Sequence, residues 1–290
     1  MSGPLRTTGV ETSIIDTPAG PVAVRHTRRT TRTATILLHG AAGSWTTWLP
    51  AIEAAGGADA LDDLVVPDLP GWGDSPADVG TLDAESLARA VAATARGLGY
   101  ERWRVVGHSM GGFVALELAA QEPAATESLL LVSATTLGGR GDRLGRFGLL
   151  RACPGLALLL FGMRLLAVSG AAAAPFVRAL DRVGLLGLLL APLFALPQPL
   201  TVRELAHDLR PAAFVRAVAC ARRYPAAERW SRVRCPVLAV HGDRDVFVGA
   251  DDDARLAAII PRFSALTLAR TGHFGHVERP RFVASVLGPR

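Results

Sequence analysis

The pentapeptide Gly107-His108-Ser109-Met110-Gly111 constrains this 290-residue chain more than any other feature. A strand-like segment at 103–106 precedes it, and residues 110–120, rich in alanine and leucine, suit a helix. A strand that turns into a helix around one residue leaves Ser109 at the apex of a sharp bend. Side chains at 107 and 111 would collide as the two elements close, so glycine stands at both. Such a turn projects a serine hydroxyl above the carboxyl end of a parallel sheet. It also aims the first helical amide, that of Met110, at any negative charge forming nearby. A serine so placed is a candidate nucleophile, and it needs a base and an acid to orient that base.

Candidates for both lie downstream. The apolar run at 237–240 reads as a strand ending in His241-Gly242-Asp243-Arg244-Asp245, which places two carboxylates beyond its carboxyl end. Asp245 is the candidate acid. Asp243, nearer the strand, suits bonding to the loop backbone. Residues 265–268 read as a last strand, followed by a loop with His273 and then a helix from Pro280 to Leu287. His273 is the candidate base, and spacing alone does not separate it from His276, which lines a pocket or packs beneath one.

Five segments in one order carry a resemblance: His39-Gly40-Ala41-Ala42-Gly43, Asp68-Leu69-Pro70-Gly71-Trp72-Gly73-Asp74-Ser75, Gly107 to Gly112, His241-Gly242-Asp243-Arg244-Asp245, and Gly272-His273 through Pro280. With them the chain resembles the α/β-hydrolase superfamily along nearly its whole length, in its lid-bearing, serine esterase-like branch. The resemblance implies Ser109 as nucleophile, Asp245 as acid and His273 as base, in the family's own order. It also implies an oxyanion hole from the amides of Met110 and Ala41, with Ala42 as second choice for the latter. The implied reaction is two-step acyl transfer on an ester, lactone or thioester, without cofactor. The same scaffold elsewhere serves acyl transfer to other acceptors, carbon–carbon bond hydrolysis and perhydrolysis, and a non-catalytic binder is the remaining class. Serine at the apex argues against the dehalogenase branch, which uses aspartate there. Trp45 and Trp72 flank these loops and are candidate pocket walls, with Ala42 and His276.

Before position 135 strand-like segments at Val22 to Arg25, Thr35 to Leu38, Leu64 to Pro67 and Leu129 to Ser133 alternate with helical ones, among them Leu82 to Leu98, predicting a mostly parallel sheet flanked by helices. From 136 to 227 the texture changes to leucine, alanine, glycine and arginine. That stretch is expected to form a helical lid inserted between core segments 1–135 and 228–290. Prolines and Arg164 interrupt its apolar runs short of the roughly 18 to 20 residues a membrane span needs. Buried or amphipathic helices over an apolar pocket are expected instead, which suits a lipophilic substrate.

All 31 basic residues are arginines, and they are unevenly divided. Residues 137–235 carry fifteen arginines against five acids, leaving sixteen against twenty-one elsewhere. A basic, apolar lid suits a lipophilic substrate with an acidic group, an anionic membrane surface or an acidic carrier protein. Solvated arginines on outward helix faces would give the same pattern. No nucleic-acid reading motif accompanies them. His39, His108 and His241 stand at strand ends without metal-ligand spacing, so no metal is expected. Three cysteines without paired spacing and a polar start at 7–16 predict a cytoplasmic protein without disulfides, at most peripheral to a membrane.

Overall fold

The computed structural model describes residues 9–137, 154–249 and 251–287. Its centre is a sheet of eight strands: β1 (Glu11–Thr17), β2 (Gly20–His26), β3 (Thr33–Leu38), β4 (Leu64–Pro67), β5 (Arg102–His108), β6 (Thr126–Val132), β7 (Val237–Gly242) and β8 (Phe263–Leu268). The spatial order is β1-β2-β4-β3-β5-β6-β7-β8. β1 and β2 pair antiparallel, as do β2 and β4, and every later pairing is parallel. Strand geometry sends successive side chains to opposite faces. Ile36 and Leu38 of β3, Val105 of β5 and Leu129 and Leu131 of β6 therefore enter one core, while Leu37, Val106, Leu130 and Val132 enter the other.

Helices cover both faces, so the central strands read as nearly continuous apolar runs. On the first face lie α2 (Ala84–Gly97) and α3 (Met110–Gln121), and on the second α1 (Leu49–Ala54) and the C-terminal helix Pro280–Leu287. The sequence places α2 at 82–98, but Asp83 caps it at the N-terminus and delays its start to Ala84. Its carboxylate accepts the Ser86 amide while Ser86 Oγ accepts the Asp83 amide, a capping box that satisfies two orphan donors.

Between β6 and β7 the described chain is helical: α4 (Pro154–Val168), α5 (Ala173–Arg182), α6 (Leu185–Leu190), α7 (Pro199–Asp208), α8 (Pro211–Arg223) and α9 (Ala226–Trp230). Prolines at 192, 197 and 199 break it between α6 and α7. This helical insertion is tied to the core at several points. Ser44 Oγ donates to Asp208 at 2.5 Å, and Arg210 and Arg216 donate to the carbonyls of Gly73 and Leu82. After β7 come α10 (Asp252–Ala257), α11 (Gly275–Glu278) and α12 (Pro280–Leu287). Cys220 and Cys235 are free thiols, and Cys153 lies outside the described residues.

Candidate active site

Ser109 has φ 52 and ψ −117, between the end of β5 and the first residue of α3. A non-glycine residue at such φ is strained, and the strain is held by close packing. A Cβ on Gly107 would come within 2.5 Å of the Gly111 carbonyl oxygen, and one on Gly111 would strike the Leu38 carbonyl. Gly112 lies equally tight against Ala134, so all three glycines serve strand–helix contact. The Ser109 amide donates to the Val132 carbonyl at 3.0 Å, anchoring the apex to β6.

The carboxyl ends of β7 and β8 bring the other two candidates together. Gly242 approaches the 271–272 peptide so closely that any Cβ would collide with the Thr271 carbonyl. That leaves room for the Arg244 amide to donate to the Thr271 carbonyl at 3.0 Å, clamping the two loops. Across the clamp His273 Nδ1 sits 3.0 and 3.1 Å from the two carboxylate oxygens of Asp245. Both side chains are buried. Burial alone pushes the Asp245 carboxyl up, but the His273 charge and hydrogen bond, with the Phe247 amide at 2.8 Å, outweigh it and hold the group below its ordinary range. The Asp245 carboxylate accepts from Nδ1, so Nε2 is the ring nitrogen turned to the other side. That nitrogen points away from Asp245, and His273 and Ser109 line the same cavity. The Ser109 hydroxyl and His273 Nε2 are not hydrogen-bonded to each other here, and such bonds commonly tighten only when substrate binds.

A loop after β3 forms the facing wall. The Gly40 carbonyl accepts from His39 Nδ1 at 2.9 Å and from the Gly43 amide, and the Ala41 carbonyl accepts from Trp72 Nε1 at 2.8 Å. With both carbonyls turned away and tied, the amides of Ala41 and Ala42 face the opposite direction. Neither they nor the Met110 amide donate to any described protein group. His39 Nε2 accepts from the Leu69 amide at 3.0 Å, so the ring is the neutral Nδ1–H tautomer, as burial and its lowered pKa require. A Cβ on Gly40 would press on His108 and Ser109, which is why the loop can lie against the apex. The cavity has a free volume of about 100 Å³, and its walls include Leu87, Phe113, Leu159, Leu193, Phe214 and Phe247.

A sequence model of the Alpha/beta hydrolase family matches residues 35–286, most of the chain. The chain belongs to the α/β-hydrolase family. Among curated proteins, this hydrolase is 35% identical over 109 residues to a dihydrolipoyllysine-residue acetyltransferase component of an acetoin cleaving system from Pseudomonas putida. The match covers 37% of this chain and 28% of that protein, so the hydrolase spans well under half the length of its curated relative. Two solved structures share its fold over nearly their whole lengths. The epoxide hydrolase CorEH superposes with TM-score 0.73 at 20% identity over 96% of both chains. An esterase from Thermogutta terrifontis does so with TM-score 0.68 at 19% identity, over 95% of this chain and 96% of that one.

Of the other residues singled out from the sequence, Ala42 and Trp72 line the hydrolase's cavity, and Trp45 and His276 do not. Trp45 lies under the Arg25 guanidinium, 4.8 Å from its ring centre, and its amide donates to Asp68. His276 is wholly buried beneath the site, its ring 4.4 Å from that of Trp48 and 4.2 Å from that of His108. Burial, and then the neighbouring His273, push its pKa down to about 3, so it stays neutral. Asp243 accepts the Thr271 amide at 3.1 Å and stays with the loop backbone. His241 pairs with Asp253, and His108 Nε2 bonds the His273 carbonyl at 3.1 Å. Sequence reasoning passed over Glu278, whose carboxylate accepts the amides of Gly272, Ala195 and Leu196 and so joins the His273 loop to the helical insertion. Its place within the Gly272 to Pro280 segment was the available signal.

Proposed function

We propose that this protein is a serine hydrolase that cleaves an ester, lactone or thioester of a lipophilic small molecule through an acyl-enzyme. The observation that carries the reading is one cavity bordered by a strained Ser109 and by a His273 whose far nitrogen is held by Asp245. His273 Nε2 takes the hydroxyl proton as Ser109 Oγ attacks the carbonyl carbon. Asp245 stabilises the resulting imidazolium and keeps its orientation. The amides of Met110 and Ala41, with Ala42 in reserve, receive the developing oxyanion, and each donor contributes roughly 3 to 4 kcal/mol to the transition state. His273 then protonates the leaving group and afterwards activates water for deacylation. Apolar walls favour lipophilic acyl or alcohol groups. The region 136–227 acts as the lid over this cavity.

Incubation with an active-site phosphonate should label Ser109 alone, and Ser109→Ala should lose turnover by a factor on the order of 10⁴ or more with its fold unchanged. A labelled residue other than Ser109, or full turnover in the variant, defeats the reading. A series of p-nitrophenyl esters should favour medium or long acyl chains over acetate. Supplied alcohol or thiol acceptors that divert most product from hydrolysis would assign acyl transfer instead.

A further inference from the structure

The outer surface of the helical insertion is unusual for a protein otherwise well packed. Of thirteen large hydrophobic residues exposed among the described residues, eleven lie between positions 158 and 200. On α4, Leu158, Phe161, Leu165 and Val168 recur at helical spacing on the side opposite the buried Leu160 and Met163. On α5, Phe176 faces out while Val177 packs inward. On α6, Leu188 and Leu189 are 72% and 65% exposed beside the buried Leu186. A soluble surface scatters such residues singly, and a concentration of this kind marks a contact face.

Charge identifies what it contacts. Between 154 and 203 every exposed charged residue is an arginine, at positions 164, 178, 182 and 203, and none of the four forms an ion pair with a described residue. The one acid in that stretch, Asp181, is half-buried. A symmetric contact with a second copy would set these cations against themselves. Among the described residues no single helix is long and apolar enough to cross a bilayer. At 15 residues α4 is about 22 Å long, short of the roughly 30 Å hydrocarbon core. It also folds back on the next helical segment at 118°. Short helices with leucines outward and arginines among them are built to lie in an interface, apolar side chains in the acyl boundary and guanidinium groups at the phosphates.

We infer that the outer face of α4 to α6 docks this protein onto an anionic phospholipid bilayer, placing the lid against the lipid. The surface is separate from the cavity walls, and its occupancy is read by binding alone, whatever the reaction inside.

Sedimentation of the full chain with vesicles tests this. Vesicles of phosphatidylcholine with about one-third phosphatidylglycerol should carry it down, phosphatidylcholine alone should do so weakly, and added salt should release it. Leu188→Glu with Leu189→Glu should lower binding at least tenfold while hydrolysis of a soluble ester is unchanged, since neither residue borders the cavity. Arg178→Glu with Arg182→Glu should erase the preference for the anionic vesicles. The inference is overturned if no vesicle binds the protein, if the leucine variant binds as well as the parent, or if light scattering shows a dimer that only the leucine variant dissolves.

Discussion

Trp72 shows how one side chain can set the chemistry of another segment. Its indole is buried, and Nε1–H donates to the Ala41 carbonyl, the group whose peptide plane aims the Ala42 amide into the cavity. Trp72→Phe keeps most of the packing and removes the donor. A buried carbonyl left unpaired costs about 1 to 3 kcal/mol, and the peptide gains freedom to turn its amide away. Because Ala42 is the donor in reserve, we expect kcat to fall only a few-fold with little change in KM, and a fall of roughly ten- to a hundredfold, in parallel with slower phosphonate labelling of Ser109, would move the oxyanion from the Ala41 amide to that of Ala42. An unchanged kcat beside a lowered melting temperature would make Trp72 a packing residue only. At this scale the sequence was most legible where geometry permits one residue type, as at Gly107 and Gly111, each closed in by backbone. It was least legible for Trp45 and His276. Adjacency to a site loop does not reveal which way a side chain turns, and both turn from the cavity into neighbouring packing.

Elements with sharp chemical boundaries were read residue for residue. β4 is Leu64–Pro67, a four-residue apolar run between acids at 63 and 68, and α12 is Pro280–Leu287, opened by the proline that suits a first helical turn. β1 went unread because an edge strand buries part of one face. Glu11–Thr17 is mostly polar, and Ile14 is 61% exposed, so no apolar alternation marks it. α7 hid a different property. It docks on the loop after β3 through Asp208, which accepts from Ser44 and Thr46, and it carries Glu204 beside Asp208 and Glu53. Burial, then repulsion from those two carboxylates, pushes Glu204 up from 4.5 to about 7. The folded state therefore holds a proton that the unfolded chain has released across that window. Stability tied to this group is complete below about pH 4.5 and declines as pH rises to about 7, then stays level. Glu204→Gln should erase the decline. The variant should match the parent near pH 4 and exceed it by about 1 kcal/mol near pH 8, a value reduced for the half-exposed side chain. Melting curves across that range decide the point, and parallel profiles for the two proteins would remove Glu204 as the cause.

On the scale of the whole molecule, a basic, helical insertion is held to a more acidic core by apolar packing and a set of polar contacts, one of which reaches α3, the helix that follows Ser109. Glu117 of α3 is fully buried, yet it receives hydrogen bonds from Gln121, from Tyr224 at the end of α8 and from Arg229 of α9. The returning end of the insertion is thus pinned to the helix that begins at Met110. A buried pair contributes little against an apolar replacement, but losing one partner strands a charge. Arg229→Ala should cost about 3 to 5 kcal/mol, whereas Glu117→Gln together with Arg229→Met should recover most of that loss. If the insertion and core fold as one unit, tryptophan fluorescence and far-ultraviolet dichroism should lose signal in a single coincident transition in the parent protein. In Arg229→Ala the two should separate, because Trp230 sits beside the broken contact, packed edge-on against Phe113 of α3 at 5.1 Å. A loss below about 1 kcal/mol would mean that Tyr224 and Gln121 suffice for Glu117 and that the insertion is held by its apolar contacts.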